Sequence, residues 1–127
     1  MTDHNPLTFS GRLRSIGFAL RGIGVMLRTQ HNAWVHAVAT VVVVAMGVAL
    51  RLSAGEWCWI VLAIVAVWTA EALNTAFEFL TDVASPGFHP VAGKAKDVAA
   101  GAVLLAACGA VVIGVLVLGP HLLRLLQ

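Results

Sequence analysis

The fold is decided by one stretch, residues 57–82, which reads WCWIVLAIVAVWTAEALNTAFEFLTD. Its first fourteen residues carry no charge. Its last twelve hold four acidic or amide side chains at intervals of three or four residues: Glu71, Asn74, Glu78 and Asp82. An α-helix completes a turn every 3.6 residues, so this spacing places the four side chains along one face. The stretch therefore predicts a long apolar helix that ends in a polar stripe.

The chain contains three apolar segments of membrane-crossing length, at residues 33–50, 57–80 and 98–118. Each is close to the roughly 20 residues that a helix needs to cross a hydrocarbon core about 30 Å thick. Hydrophobic residues make up 60% of the 127 residues, which is more than a soluble domain of this size can bury. We therefore predict an all-α membrane protein with a single domain over residues 1–127.

The connection between the second and third spans is rich in turn-forming residues. Residues 84–97 read ASPGFHPVAGKAKD and contain two prolines and two glycines, which favour turns. This composition predicts a fourteen-residue turn, with Lys96 and Asp97 at the start of the following helix. Pro120 is expected to end the third span, because proline cannot continue the helical hydrogen bonding.

The N-terminal segment, residues 7–29, has the pattern of an amphipathic helix. Its apolar residues recur at intervals of three or four: Phe9, Leu13, Ile16, Leu20, Ile23 and Leu27. Four arginines lie in the same segment: Arg12, Arg14, Arg21 and Arg28. A basic amphipathic helix next to an apolar span is typical of a helix that lies on an anionic membrane surface. A helix packed within a soluble protein is the alternative.

Lysine and arginine are distributed unevenly around the three spans. The N-terminal segment holds four arginines and residues 81–97 hold two lysines, whereas the first loop and the C-terminal tail each hold one arginine. Basic residues concentrate on the cytoplasmic side of membrane proteins, so the N-terminus and the second loop are predicted to be cytoplasmic. Trp57 and Trp59 at the opposite end of the second span fit an interfacial anchor.

The polar stripe begins inside the predicted membrane. Glu71 lies fourteen residues beyond Trp57, or about 21 Å along a helix, which places it in the inner third of the bilayer. An ionisable group at this depth is costly and is by default a candidate functional residue. Glu78 and Asp82 reach the cytoplasmic interface, where Asp82 can equally be a solvated helix end. Three spans are too few to shield the stripe from lipid, which predicts a homo-oligomer.

These residue types suit phosphoryl transfer to a lipid alcohol. A carboxylate held away from water can accept a proton from a hydroxyl at neutral pH. A second carboxylate near the aqueous edge can hold Mg²⁺, which prefers oxygen ligands and bridges nucleotide phosphates. Lys96 would supply positive charge for the phosphates. Positioning and charge neutralisation are most of what this reaction needs from a protein.

The chain resembles the prokaryotic diacylglycerol kinase family, small integral-membrane lipid kinases that include undecaprenol kinases. The resemblance rests on two segments, EALNTAFEFLTD and FHPVAGKAKDVAAGAVLLAA, and extends over nearly the whole chain. It implies a homotrimer of three-span protomers, each with a surface helix, in the bacterial cytoplasmic (inner) membrane. It also implies Mg-ATP and a lipid alcohol as reactants, and no nucleic-acid partner.

The same resemblance implies roles for individual residues. Glu71 matches the catalytic base and Asn74 its neighbour in the active site, while Glu78 matches a carboxylate that coordinates metal and ATP. The remaining nucleotide-binding positions are Gly87, Phe88, His89, Lys96 and Asp97. A second metal-binding glutamate, common in the family before the first span, is replaced here by Gln30. An amide oxygen can coordinate Mg²⁺ but brings no charge, so the number of metal ions is open.

The identity of the lipid alcohol and some alternatives stay open. The segment RTQHNAWVH, residues 28–36, is more similar to the undecaprenol kinase branch, which favours undecaprenol over diacylglycerol. His36 can equally be a hydrogen-bonded packing residue. An oligomeric proton or ion conductor would explain the buried acids but would leave Lys96 and Asp97 without a role. A small membrane scaffold would explain the small residues of the third span but not the stripe.

Overall fold

The computed structural model describes residues 8–127, and these residues form four α-helices joined by short turns. The helices are α1 (Phe9–Thr29), α2 (His31–Ala49), α3 (Ala54–Ala84) and α4 (Pro90–Leu125). The all-α prediction is confirmed. The first residue of the predicted surface helix, at position 7, lies outside the described residues.

Within residues 8–127, the helices α2, α3 and α4 are long and apolar enough to cross a membrane. The chain is therefore a membrane protein with three helices of spanning length. Two of these helices exceed the predicted apolar segments, since α3 has 31 residues and α4 has 36. At about 1.5 Å per residue, both are longer than a hydrocarbon core of about 30 Å. Their ends therefore extend beyond the apolar segments 57–80 and 98–118.

The turn predicted for residues 84–97 is wrong in its length. Helix α4 already begins at Pro90, so the connection between α3 and α4 is only residues 85–89. Proline suits the first helical position because its fixed φ is already helical and no hydrogen bond is lost there. His89 caps this helix, its Nδ1 accepting a hydrogen bond from the Val91 N–H at 3.2 Å. Lys96 and Asp97 consequently lie about two turns inside α4 rather than at its start.

Pro120 does not end the third spanning helix, contrary to the prediction. Helix α4 continues to Leu125 with Pro120 inside it. A proline this close to the C-terminal end removes one backbone hydrogen bond while only a single turn remains beyond it. That last turn gains two side-chain contacts: the Arg124 Nε–H donates to the Pro120 carbonyl, and His121 contacts Glu56 of α3.

The turn between α2 and α3 is closed by backbone hydrogen bonds at the end of α2. The Leu52 N–H donates to the Gly47 carbonyl and the Arg51 N–H to the Val48 carbonyl, the pattern of a Schellman motif. Arg51 occupies the left-handed position of this motif, with φ 54°. Glycine is the usual residue there, because a side chain in the left-handed region is mildly strained.

The start of α3 is fixed by a capping box that also reaches α4. The Ser53 side chain accepts from the Glu56 N–H, and one oxygen of Glu56 accepts from the Ser53 backbone at 2.8 Å. The other oxygen lies 2.7 Å from His121 Nε2. Below this cap, Leu52, Ile60 and Leu118 form the buried hydrophobic cluster that joins the ends of α3 and α4.

Helix α3 packs most extensively against α4, and α1 contacts the other helices near its C-terminal end, where Met26 is buried. The apolar residues predicted for one face of α1 are largely exposed, including Phe9, Leu13 and Leu20. An exposed apolar face of this kind suits a helix on a membrane surface. The placement of α1 on that surface stays a prediction.

We expect a Gly47→Ala substitution to destabilise the chain. A Cβ atom at this buried position would lie 2.8 Å from Cη2 of Trp57 and 3.1 Å from Cδ1 of Leu52, so α2 and α3 would have to separate. Overpacking of this kind typically costs about 1–3 kcal/mol. Thermal unfolding in detergent should show a lowered midpoint. Gly55→Ala is the matched control, because nothing lies within 4 Å of its added Cβ. Equal midpoints for both variants would contradict the expected clash.

Candidate active site

Glu71 is the most deeply buried ionisable residue of the polar stripe. It has no exposed surface, and neither carboxylate oxygen has a hydrogen-bond partner. Its nearest charged or titratable neighbour is His36 of α2, whose Nε2 lies 3.7 Å from Oε2 of Glu71. That distance exceeds a hydrogen bond. Glu71 is therefore a carboxylate removed from solvent with its acceptor capacity unused.

The burial of Glu71 within one protomer corrects part of the argument for an oligomer. The oligomer prediction from the sequence rests on three spans being too few to shield the whole stripe from lipid. The fold of one protomer already buries the Glu71 side chain completely, with His36 of α2 facing its carboxylate. The oligomer prediction then has to rest on other features of the chain.

Gln30, Asn74 and Glu78 form a hydrogen-bonded group that we call the amide–carboxylate cluster. The Asn74 Nδ2–H donates to Oε1 of Glu78 at 3.1 Å, and the Gln30 Nε2–H donates to Oε2 of Glu78 at 2.8 Å. The first contact follows from the four-residue spacing on α3, which brings the two side chains together on one face. Each oxygen of Glu78 thus accepts a hydrogen bond from an amide.

Gln30 reaches this cluster because of its place in the chain. It is the single residue between α1 and α2, and its extended backbone (φ −107°, ψ 117°) turns the chain from one helix to the other. Its backbone N–H closes α1 by donating to the Met26 carbonyl. The buried Met26 anchors this end of α1, so the Gln30 side chain is held against α3.

The cluster fits a cation in its donor set. The Oδ1 atom of Asn74 is buried and has no hydrogen-bond partner, so it offers a free oxygen beside the Glu78 carboxylate. Amide and carboxylate oxygens are the ligands that Mg²⁺ takes, and Mg²⁺ commonly relies on substrate phosphates for part of its coordination. Within residues 8–127, no group of three His, Cys, Asp or Glu side chains could enclose a metal ion. A cation held here would take amide as well as carboxylate oxygens as ligands.

Two of the predicted nucleotide-binding residues, Lys96 and Asp97, lie in α4. Lys96 forms an ion pair with Asp82, and both side chains are substantially exposed. The sequence placed both residues at the cytoplasmic interface but did not predict that they pair. Asp97 is exposed on α4, and its side chain makes no hydrogen bond or ion pair with residues 8–127.

The predicted nucleotide loop lies in the short connection between α3 and α4. Phe88 is 96% exposed, and the Gly87 carbonyl accepts a hydrogen bond from the Ser85 hydroxyl. The Nδ1 atom of His89 is engaged in capping α4. In the described part of the chain, no hydrogen bond or ion pair joins this loop to the amide–carboxylate cluster. In residues 8–127 the site residues thus form hydrogen-bonded groups that are not bonded to one another: the amide–carboxylate cluster, the Lys96–Asp82 pair and the loop.

Two cavities adjoin the stripe from different sides. One of about 790 Å³ lies between α3 and α4, with Asn74, Phe77 and Lys94 among its lining residues. Another of about 580 Å³ lies among α2, α3 and α4, with His36 and Thr40 as its polar lining. Glu71 is therefore next to one lining residue of each cavity. Asn74, which lines the first cavity, follows Glu71 on the same face of α3, and His36, which lines the second, faces its carboxylate.

The model of the prokaryotic diacylglycerol kinase family matches residues 17–118, which is most of this chain and includes every residue of the stripe. The chain belongs to this family. As a prokaryotic diacylglycerol kinase family member it is a lipid kinase, an enzyme that uses ATP. The resemblance stated from the two sequence segments is thereby confirmed, and the conductor and scaffold interpretations are set aside.

Three relatives in this family show the range of similarity. The undecaprenol kinase of Bacillus subtilis (strain 168) is 40% identical over 109 residues, covering 86% of this chain and 89% of the relative. The diacylglycerol kinase of Synechocystis sp. is 38% identical over 115 residues, which cover 90% of this chain and 66% of the relative. The diacylglycerol kinase of Escherichia coli (strain K12) is 26% identical over 128 residues, which cover 93% of this chain and 97% of the relative.

One neighbour of the proposed base was not selected from the sequence. From the sequence, His36 can be either a site residue or a packing residue. In the structure its ring lies against Glu71. A weak signal existed, because His36 and Thr40 are spaced one turn apart in an otherwise apolar segment. Spacing alone could not tell which helix this pair would face.

Proposed function

We propose that this lipid kinase transfers the γ-phosphate of ATP to the hydroxyl of a polyprenol, undecaprenol, with Glu71 as general base. The observation that carries the proposal is the buried Glu71 carboxylate, which has no hydrogen-bond partner and adjoins the amide–carboxylate cluster along α3. The similarity of RTQHNAWVH to the undecaprenol kinase branch, and the relative of that name, favour undecaprenol. Diacylglycerol is the second candidate, because relatives of that name are also similar.

The proposed reaction begins when the lipid hydroxyl reaches Glu71 from the bilayer. Glu71 takes the hydroxyl proton as the lipid oxygen attacks the γ-phosphorus. The bond between this oxygen and phosphorus forms while the bond from phosphorus to the β–γ bridging oxygen breaks, so that ADP leaves. A carboxylate without hydrogen-bond partners is well suited to this role, because its oxygens are free to accept the proton.

The aqueous side of the stripe would hold the nucleotide. Mg²⁺, when bound with ATP, supplies positive charge to the phosphates, and the Glu78 carboxylate with the amide oxygens of Asn74 and Gln30 would hold it. In the structure both amides donate to Glu78 through their NH2 groups, and the Asn74 Oδ1 atom keeps no hydrogen-bond partner, so that this oxygen would be available to a cation. Lys96 would bind phosphate through the N–H groups that its ion pair with Asp82 leaves free. Asp97 and the loop of Gly87, Phe88 and His89 would complete the nucleotide site.

The orientation follows from the same assignment. With ATP in the cytoplasm, the end of α3 that carries Asp82 faces the cytoplasm, as does the connection at residues 85–89. The distribution of lysine and arginine supports this orientation, with the N-terminus also cytoplasmic. The membrane is then the bacterial cytoplasmic (inner) membrane. Glu56 and His121, at the other end of α3 and in the last turn of α4, face the opposite side.

The proposed substrate is tested by phosphate transfer from labelled ATP in mixed micelles, with undecaprenol and diacylglycerol compared at equal mole fraction. We expect kcat/KM for undecaprenol to exceed that for diacylglycerol at least severalfold. The reverse preference would assign the chain to diacylglycerol, while the base assignment would stand. Phosphorylation of neither lipid by a folded protein would reject both substrates.

We expect Glu71→Gln to abolish most turnover while leaving the fold intact. A general base commonly contributes about 10²–10⁴-fold to the rate, and glutamine keeps the volume of the side chain but cannot accept the proton. The measurement is kcat at saturating lipid and Mg-ATP, with thermal unfolding as the control for folding. A variant that retains near-normal kcat would show that Glu71 is not the base.

We expect Gln30→Glu to lower the Mg²⁺ concentration that gives half-maximal activity by several-fold. The Gln30 amide lies 2.8 Å from Glu78, so a glutamate there would add a second carboxylate beside the first. Two like charges at this distance repel, and a divalent cation relieves that repulsion. Asn32→Asp is the matched control, because it adds the same charge at an exposed position two residues further. Superimposed Mg²⁺ titrations of wild type and Gln30→Glu would remove residue 30 from the metal site.

We propose that the active enzyme is a homotrimer. The proposal follows from family membership and from the large apolar surface that one protomer leaves exposed on α2 and α4. Native mass spectrometry or light scattering in a mild detergent should give three times the 13.3 kDa protomer mass. A fully active species with the mass of a single protomer would refute the trimer.

A further inference from the structure

His36 is a buried polar residue that the proposed reaction has not yet used, although it is next to the proposed base. Its side chain is 15% exposed, and its Nε2 atom is buried without a hydrogen-bond partner. The facing group is the Glu71 carboxylate, whose two oxygens are also buried and unpartnered. A nitrogen and an oxygen that both lack partners therefore face each other across 3.7 Å.

The His36 ring is held in place by contacts between α2 and α3. The Trp68 ring meets it edge-on, with centroids 6.5 Å apart and an angle of 68° between the planes. Trp68 is itself fixed, because its Nε1–H donates to the Thr40 hydroxyl at 3.1 Å. Thr40 in turn donates to the His36 backbone carbonyl at 2.7 Å. The Trp68 ring that contacts His36 is thus held by a hydrogen bond to Thr40. This bond joins α2 and α3, the same two helices that carry His36 and Glu71.

The energetics of burial favour a closer approach of these two groups. A buried polar atom without a hydrogen bond costs about 1–3 kcal/mol, and more when it is charged. A charge-assisted hydrogen bond between imidazole and carboxylate has a length of about 2.7–2.9 Å. A movement of less than about 1 Å from the observed 3.7 Å would therefore satisfy one atom on each side. Two neighbouring side chains direct a hydrogen bond elsewhere, since the Thr75 hydroxyl donates to the Glu71 backbone carbonyl and the Asn74 amide donates to Glu78.

We propose that His36 is a positioning residue for the base: its Nε2–H donates to Oε2 of Glu71 and fixes the carboxylate, so that Oε1 is directed to the lipid hydroxyl. The inference rests on the proposed role of Glu71 as general base. It requires the neutral tautomer of His36 with the proton on Nε2. In the reaction the hydroxyl proton passes to Oε1, and the His36 proton stays on nitrogen throughout.

This role differs from packing in the kinetic quantity that it affects. A residue that orients the base acts on the chemical step, so its loss lowers kcat and leaves KM for the lipid nearly unchanged. A residue that only fills space between α2 and α3 lowers stability and is replaced adequately by an apolar side chain of similar size. A side chain that keeps a hydrogen-bond donor should restore a positioning function but has no such advantage in packing.

The test compares His36→Leu and His36→Gln with the wild type at saturating Mg-ATP, measuring kcat, KM for undecaprenol and thermal unfolding. His31→Leu is the matched control, since His31 is an exposed histidine of the same helix. We expect His36→Leu to lower kcat about 10- to 100-fold, as the loss of a hydrogen bond to a charged group implies. His36→Gln should regain most of this loss, and His31→Leu should match the wild type. A folded His36→Leu with kcat within twofold of wild type, or a His36→Gln as impaired as His36→Leu, would overturn the proposal.

A spectroscopic measurement on the wild-type chain keeps the inference testable where the leucine variant does not fold. Imidazole ¹⁵N resonances report which ring nitrogen carries the proton, and the His36 signals are those missing from His36→Gln. We expect a protonated Nε2 whose resonance shifts in Glu71→Gln. An unprotonated Nε2, or a resonance that does not change in Glu71→Gln, would overturn the contact. Should Glu71→Gln retain full turnover while this resonance shifts, the contact would stand and the base assignment would fail.

Discussion

The structure depends on one costly constraint, the burial of the Glu71 carboxylate inside a bundle of apolar helices. Removing a carboxylate from water is unfavourable unless other groups compensate, and the described residues provide no hydrogen bond to either oxygen. Among residues 8–127, His36 of α2 approaches this carboxylate to 3.7 Å. An apolar side chain of the same volume at this position would typically stabilise the fold at least as well. The presence of the carboxylate fits the role of general base that we propose for Glu71.

From this residue the polar stripe becomes progressively more exposed along α3. Glu71 is fully buried, Glu78 is partly exposed and hydrogen-bonded to two amides, and Asp82 is exposed and paired with Lys96. A single helix thus joins an apolar environment suited to a lipid hydroxyl with an aqueous one suited to a nucleotide. The reactants of a lipid kinase differ in solubility, and the site that we propose along this helix would meet both of them without a large movement of either.

The amide–carboxylate cluster gives the site an unusual charge balance. With Gln30 at the junction of α1 and α2, the neighbourhood of Glu78 contains one carboxylate and two amides. An amide has an NH2 group that can donate to a carboxylate and an oxygen that can face a cation. A second carboxylate would bring only oxygens. Both Glu78 oxygens are hydrogen-bonded without a metal ion, whereas the buried Asn74 Oδ1 atom has no partner. The same junction fixes the angle between α1 and α2, which couples the placement of α1 to the site.

The helical class, the three apolar helices and the polar stripe were determined by the sequence alone, because periodicity and hydropathy are local properties. The Asn74–Glu78 contact belongs with them, since a four-residue spacing on one helix imposes it. Helix ends were less predictable: Pro90 and Pro120 signal a turn or a stop in isolation, but one starts α4 and the other lies inside it. Only the tertiary structure decided that His36 faces Glu71, that Gln30 reaches Glu78 and that Lys96 pairs with Asp82. Contacts between helices depend on how each helix is rotated about its axis, and helices that are apolar on nearly every side carry little local information about that rotation.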